Sequence, residues 1–202
     1  MQPDSVILIT APAAEPISTA DAKAHLRVDL DDEDTLIASY VASARERVES
    51  ETGRALINQT WEARWSCFPG DGVLELPLPP LSSVTSVKYV DPDGVEQTMP
   101  SGDYVVDRDV GPRAQRSRVV LAESASWPGT KTQPNAVLVR FVAGYGAAAT
   151  AVPALLIQAV RYFLATYYEN RDTVVSGMAT TATELPKSVQ DALDLFWVPV
   201  MA

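Results

Sequence analysis

The stretch DDEDTLIASYVASARERVESETGRALINQTWEARWSCF, residues 31 to 68, changes its periodicity part-way along, and that change decides the fold class. Up to Thr52 the apolar residues Leu36, Ile37, Tyr40, Val41, Ala44 and Val48 recur at spacings of three and four, which lines them up along one stripe of a helix over 31–52. Gly53 supplies a left-handed stop. Beyond it the period falls to two, and Thr60 to Phe68 alternates as a half-buried strand does.

Working back toward the amino end, residues 18 to 28 predict a shorter helix. Ser18 is placed to cap it, Asp21 follows in the first turn, and Ile17 can staple onto Ala22. Working forward, short alternating segments rich in β-branched and aromatic residues continue to about residue 145, separated by Pro, Gly and Asp. The predicted strands are Thr60 to Phe68, Val73 to Leu76, Ser83 to Val90, Val95 to Thr98, Tyr104 to Asp107, Arg118 to Leu121 and Ala136 to Val142. Asp91-Pro92-Asp93-Gly94 is a tight turn, because proline presets the bend and glycine accepts positive φ.

Helical texture returns at Pro153, a favourable first-turn residue, and runs to about Asn170. Leu155, Leu156, Ala159, Val160, Phe163, Leu164 and Tyr167 cover most of its circumference, leaving only Gln158, Arg161 and Glu169 on a polar stripe. Such a helix is expected to be central and enclosed. Residues 171 to 185 form a long connection of mixed polarity, a length associated with function or mobility. Pro186 opens a last helix on which Val189, Ala192, Leu193, Phe196 and Trp197 share a face, followed by the apolar tail 198–202. The expected fold class is therefore α+β. Residues 1–53 and 150–202 are read as a helical core in which terminal helices form a small bundle, and 54–149 as an antiparallel β-rich insertion, a sheet or small barrel.

Composition bounds the function classes. With 202 residues and 47% apolar content the chain can bury a real core. The apolar run Val6 to Ile9 is too short for a membrane span, and no basic residue precedes it as a signal peptide requires, so an unprocessed cytosolic product without a membrane role is expected. The formal charge of -10 is uneven, with -7 carried by residues 1 to 53. An acidic chain repels phosphate backbones, which disfavours a sequence-reading nucleic-acid binder. Cys67 cannot form an internal disulfide and is expected to be a small buried hydrophobe on its strand.

No constellation for catalysis is found. His25 is the sole histidine, and a dyad with Cys67 lacks any recognised local signature. The acidic cluster Asp29, Asp31, Asp32, Glu33 and Asp34 does not match a calcium loop and is expected to cap the helix that follows it. Gly144-Tyr145-Gly146 follows a strand but opens no helix directly, so the glycines serve to let the chain leave the sheet rather than to bind a nucleotide. No catalytic, cofactor-binding or metal-binding residue is predicted.

Two features point outward instead. Arg108, Arg113, Arg116 and Arg118 bracket Gly111-Pro112 in a predicted hairpin loop, which is either a solvated loop or a grip for an acidic partner surface or DNA. At the carboxyl end Val189, Leu193, Leu195, Phe196, Trp197, Val198, Val200 and Met201 put large apolar area at a terminus. Either the chain's own core covers it or a neighbouring subunit or different protein does. Deleting 195 to 202 is expected to leave a folded chain that fails to assemble.

Several strings then resemble one family: AEPISTADAKAHLRVD (14 to 29), DDEDTLI (31 to 37), ETGRAL (51 to 56), QTW (59 to 61), LPLPPLSSV (76 to 84), VAGYG (142 to 146) and YYENR (167 to 171). Their order and spacing resemble the head-to-tail connector, or adaptor, family of tailed phages, prophages and gene transfer agents. The resemblance implies a structural protein, not an enzyme, needing no cofactor. It implies a dodecameric homo-oligomeric ring beneath the portal protein, with a stopper or tail-completion protein on the far face and DNA passing through the channel. It places the protein at the head-tail junction of a particle, made in the bacterial cytoplasm, with 187–202 as candidates for portal docking. Two alternatives from other classes are a small-molecule-binding module on the β insertion and a cytosolic regulator acting through the Arg108 to Arg118 loop.

Overall fold

The computed structural model describes residues 1–170 and 185–199. The chain is α+β and divides into two compact units, Met1–Ala13 with Arg54–Ala147, and Ala14–Gly53 with Ala148–Ala202.

The first unit is built of antiparallel strands. A five-stranded sheet has the order β1-β2-β8-β4-β5, from β1 (Ser5–Thr10), β2 (Gln59–Trp65), β4 (Leu81–Val90), β5 (Glu96–Thr98) and β8 (Val137–Ala143). A three-stranded sheet has the order β3-β7-β6, from β3 (Val73–Leu76), β6 (Tyr104–Asp107) and β7 (Ser117–Leu121). The predicted alternation is visible in β8, where Val137, Val139, Phe141 and Ala143 are buried in turn. Across the ladder Ala63 faces Val139 and Trp65 faces Val137, so one apolar face runs over both strands. Leu74, Leu76 and Val119 of the smaller sheet join the same buried cluster.

The Asp91 to Gly94 turn forms as its chemistry requires. The Asp91 carboxylate accepts hydrogen bonds from the backbone N–H groups of Asp93 (3.1 Å) and Val95 (2.9 Å) and from Gln97 Nε2 (3.0 Å), with Gly94 at φ +88°. The glycine after β8 is demanded more strictly. Gly144 lies at φ +141°, and a Cβ there would sit 2.5 Å from both Asn58 N and Ile57 C, where residues 56 to 58 cross beside it. Tyr145 N donates to Leu56 O (3.2 Å) and Asn58 N to Gly146 O (2.9 Å), so the crossing is closed by backbone bonds.

The second unit holds α1 (Thr19–Leu26), α2 (Asp34–Thr52), α3 (Ala154–Glu169) and α4 (Lys187–Phe196). Ser18 Oγ accepts from Asp21 N at 3.0 Å, and Ile17 and Ala22 are both buried, as the cap and staple predict. Gly53 ends α2 at φ +67°. Ile37, Val41, Ala44 and Val48 of α2 and Leu156, Ala159, Val160, Phe163 and Leu164 of α3 form the shared core, with α4 packed on both helices. Arg45 is buried among them because Glu15 (2.8 Å) and Glu49 (2.8 Å) answer its charge. Burial alone would lower the pKa of its guanidinium, but the two carboxylates outweigh that and hold it above its ordinary value.

Four sequence expectations need correction. The first 13 residues belong with the sheets, not with the helices, since β1 pairs antiparallel with β2. The apolar run Val6 to Ile9 is that strand. Leu155 of α3 is exposed, so the helix is enclosed on one broad face rather than nearly all round. Cys67 is exposed in the turn after β2, because the strand stops at Trp65 and the alternation ends with it. Finally, the acidic cluster does not cap α2 through a side chain: Glu33 is the N-cap residue and makes no such bond, and Tyr168 donates its hydroxyl to Glu33 instead.

Candidate docking surface

The carboxyl-terminal residues separate into two groups. Val189 is half-buried, while Leu193, Phe196 and Val198 turn inward and join the helical core. Val198 N donates to Thr52 O at 2.9 Å, tying the chain after α4 to the end of α2. Leu195 and Trp197 turn outward at 39% and 54% exposure. Helical geometry makes this division, because Leu193 and Phe196 are three apart on the inner face, and Leu195 lies between them in sequence on the opposite side. Val200 and Met201 lie outside the described residues, as does most of the long connection after Asn170.

The arginine loop spans residues 108–116 between β6 and β7. Of Arg108, Arg113, Arg116 and, just beyond the loop on β7, Arg118, three are engaged within their own unit. Arg108 donates to Ser82 O (2.9 Å), Arg116 pairs with Glu75 (3.2 Å), and Arg118 makes a two-pronged pair with Asp107 (3.1 and 2.6 Å), its cross-strand neighbour. Arg113 is exposed and has no side-chain partner among the described residues. Distant residues hold this loop. Arg54, fully buried just after Gly53, donates through Nη1 to Ala114 O at 2.5 Å, and Tyr145 donates its hydroxyl to Pro112 O at 2.8 Å. Burial lowers the Arg54 pKa, opposed by Tyr145 and by the charge of Asp109. A residue of one strand's approach and one from the VAGYG string thus fix the loop, a pairing no local spacing encodes.

A cleft of about 440 Å³ lies beside α1, lined by Thr19, Lys23, Val28, Asp29, Asp31 and Asp34 among others. Lys23 bonds to Asp31 and to Asp34 (2.8 Å), and those bonds raise the Lys23 pKa and lower that of Asp31. The carboxylates are therefore answered by the chain's own cation. Among the described residues no group of three or more His, Cys, Asp or Glu is placed to hold a metal, and no helix is long and apolar enough to cross a membrane. His25 and Cys67 are both exposed and belong to different units.

Leu195 and Trp197 are thus the large apolar side chains that α4 and its tail leave outside the helical core among the described residues. Residues 17–90 match the family described as phage gp6-like head-tail connector protein, which bears out the resemblance read from the sequence strings. Three solved structures match over 98% of this chain and 97% of their own. They are a chain of the virion of a native gene transfer agent particle (27% identity, TM-score 0.78), one of the neck of an empty particle computed with C6 symmetry (27%, 0.79), and one of the neck of a native particle computed with C12 symmetry (25%, 0.75). No curated protein matches the chain. The family matched is that of a structural connector.

Proposed function

We propose that the chain is a structural subunit of the neck of a tailed phage or gene-transfer-agent particle, where copies form a ring, expected to be a dodecamer, beneath the portal. The ring joins the DNA-filled head to a stopper or tail-completion protein and leaves a channel for DNA. The observation that carries this reading is a match to neck chains along nearly the whole length of both partners. The outward pair Leu195 and Trp197 supports it, since exposed apolar side chains of that size are the anchors expected of a docking segment.

Docking through the tail is tested by changing those two side chains alone. Deletion of 195–202 is a poor test, because it also removes Phe196 and Val198 from the core. The variant Leu195→Ser with Trp197→Ser is expected to keep its melting temperature and to be missing from the heads of particles purified from producing cells. Normal incorporation, measured by mass spectrometry of the particles, would reject the tail as the portal contact. Wild-type chain absent from particle necks in electron micrographs would reject the connector reading itself.

A further inference from the structure

Resting on the ring reading above, we propose that adjacent copies join by sheet extension, with the edge strand β1 of one copy adding to the edge strand β6 of the next. Among the described residues strand β1 has a single strand neighbour, β2, so the hydrogen-bonding groups along its other side are left unpaired by the sheet. Its sequence, Ser5-Val6-Ile7-Leu8-Ile9-Thr10, carries no charge. None of the four apolar residues is buried, and Leu8 and Ile9 are 46% and 40% exposed. Free edges are ordinarily guarded by lysine, proline or an inward charge. Here the one irregularity is the register shift between Leu8 and Thr10, which leaves Ser5 to Leu8 as four regular residues, about 13 Å of strand.

Of the other sheet edges in the same unit, two are already protected. The outer side of β3 is taken by the chain's own start: the Met1 amino group donates to Val73 O (2.9 Å) and Glu75 N donates to Met1 O (3.2 Å). β5 is three exposed polar residues, with Glu96 paired to Lys88 (2.7 Å) and the Gln97 side chain held by Asp91. β6 remains. It is four residues long, Tyr104–Asp107, matching the regular part of β1, and it carries Val105 at 57% exposure. Two different edges of matched length on one chain are what a head-to-tail contact needs, and repeated head-to-tail contacts close into a ring, whereas β1 on β1 would stop at a two-fold dimer. The matched neck structure of C12 symmetry calls for the first kind of contact.

The test uses particles assembled from the full chain in a Cys67→Ser background. With Leu8→Cys and Val105→Cys together, a short bis-maleimide linker is expected to give a ladder of covalent multimers on a denaturing gel, and neither single variant should give one. The inference is overturned if necks contain the double variant and no ladder forms, if Leu8→Cys alone cross-links, or if Leu8→Cys with Gln97→Cys links as well. A second variant, Leu8→Lys, should melt with the wild type, since the side chain is already half in water, yet fail to enter particles. Wild-type levels of Leu8→Lys in necks would also overturn it. These outcomes are distinct from absence of the wild-type chain, which rejects the ring on which the inference stands.

Discussion

Gly144 shows how one position can hold a fold together without contributing a side chain. Its left-handed φ and the backbone 2.5 Å away leave no space for a Cβ, so Gly144→Ala is expected to destabilise the sheet unit by about 2–4 kcal/mol, measured by urea unfolding. Glu62 works through charge instead. It is buried on β2 between Arg140, its cross-strand neighbour (2.7 Å), and Arg64 (2.8 Å). Burial alone would push its carboxyl up, but the hydrogen bonds and charges of the two arginines outweigh it and hold the pKa below the ordinary glutamate value. A depressed folded-state pKa contributes stability that is present above the unfolded value of about 4.5 and lost as pH falls through the folded value. Glu62→Gln should therefore be less stable than wild type at neutral pH and lose less on acidification below that range. Parallel acid-unfolding curves for the two proteins would contradict this assignment.

At the scale of elements, α4 buries one face and leaves the other exposed. Phe196 is core, and Phe196→Ala is expected to cost about 3–4 kcal/mol, whereas Trp197→Ala should stay within about 0.5 kcal/mol of wild type, both read from denaturant midpoints. Much of this level was legible beforehand. The Ser18 cap, the Gly53 stop and the Asp91 to Gly94 turn each depend on residues within a few positions of one another, so the sequence carries them. β1 was not legible as a strand, because its partner β2 lies some fifty residues away in the chain and its apolar residues are not buried in one face. Cys67 is exposed for a related reason: alternation predicts burial only while the strand lasts, and the ladder ends at Trp65.

Over the whole molecule, the net charge of -10 and the internal engagement of Arg108, Arg116 and Arg118 leave little to hold a phosphate backbone. The isolated chain is expected to produce no mobility shift with duplex DNA at about 0.1 M salt. A shift that weakens steeply as salt rises would favour the regulator acting through the arginine loop. The units also divide the chain differently from its order: residues before α1 complete a sheet whose other strands begin only after α2.

By itself the sequence determined the helix and strand types, their caps and turns, the acidity of the chain and its resemblance to head-tail connectors. All of these reside in local spacing or in ordered short strings. Only the tertiary structure decided which apolar residues stay outside, that Leu195 and Trp197 part from Phe196, that β1 ends its sheet among the described residues, and that Arg54 and Tyr145 hold the arginine loop. Exposure and edge status belong to no residue alone, because they depend on what distant segments come to cover.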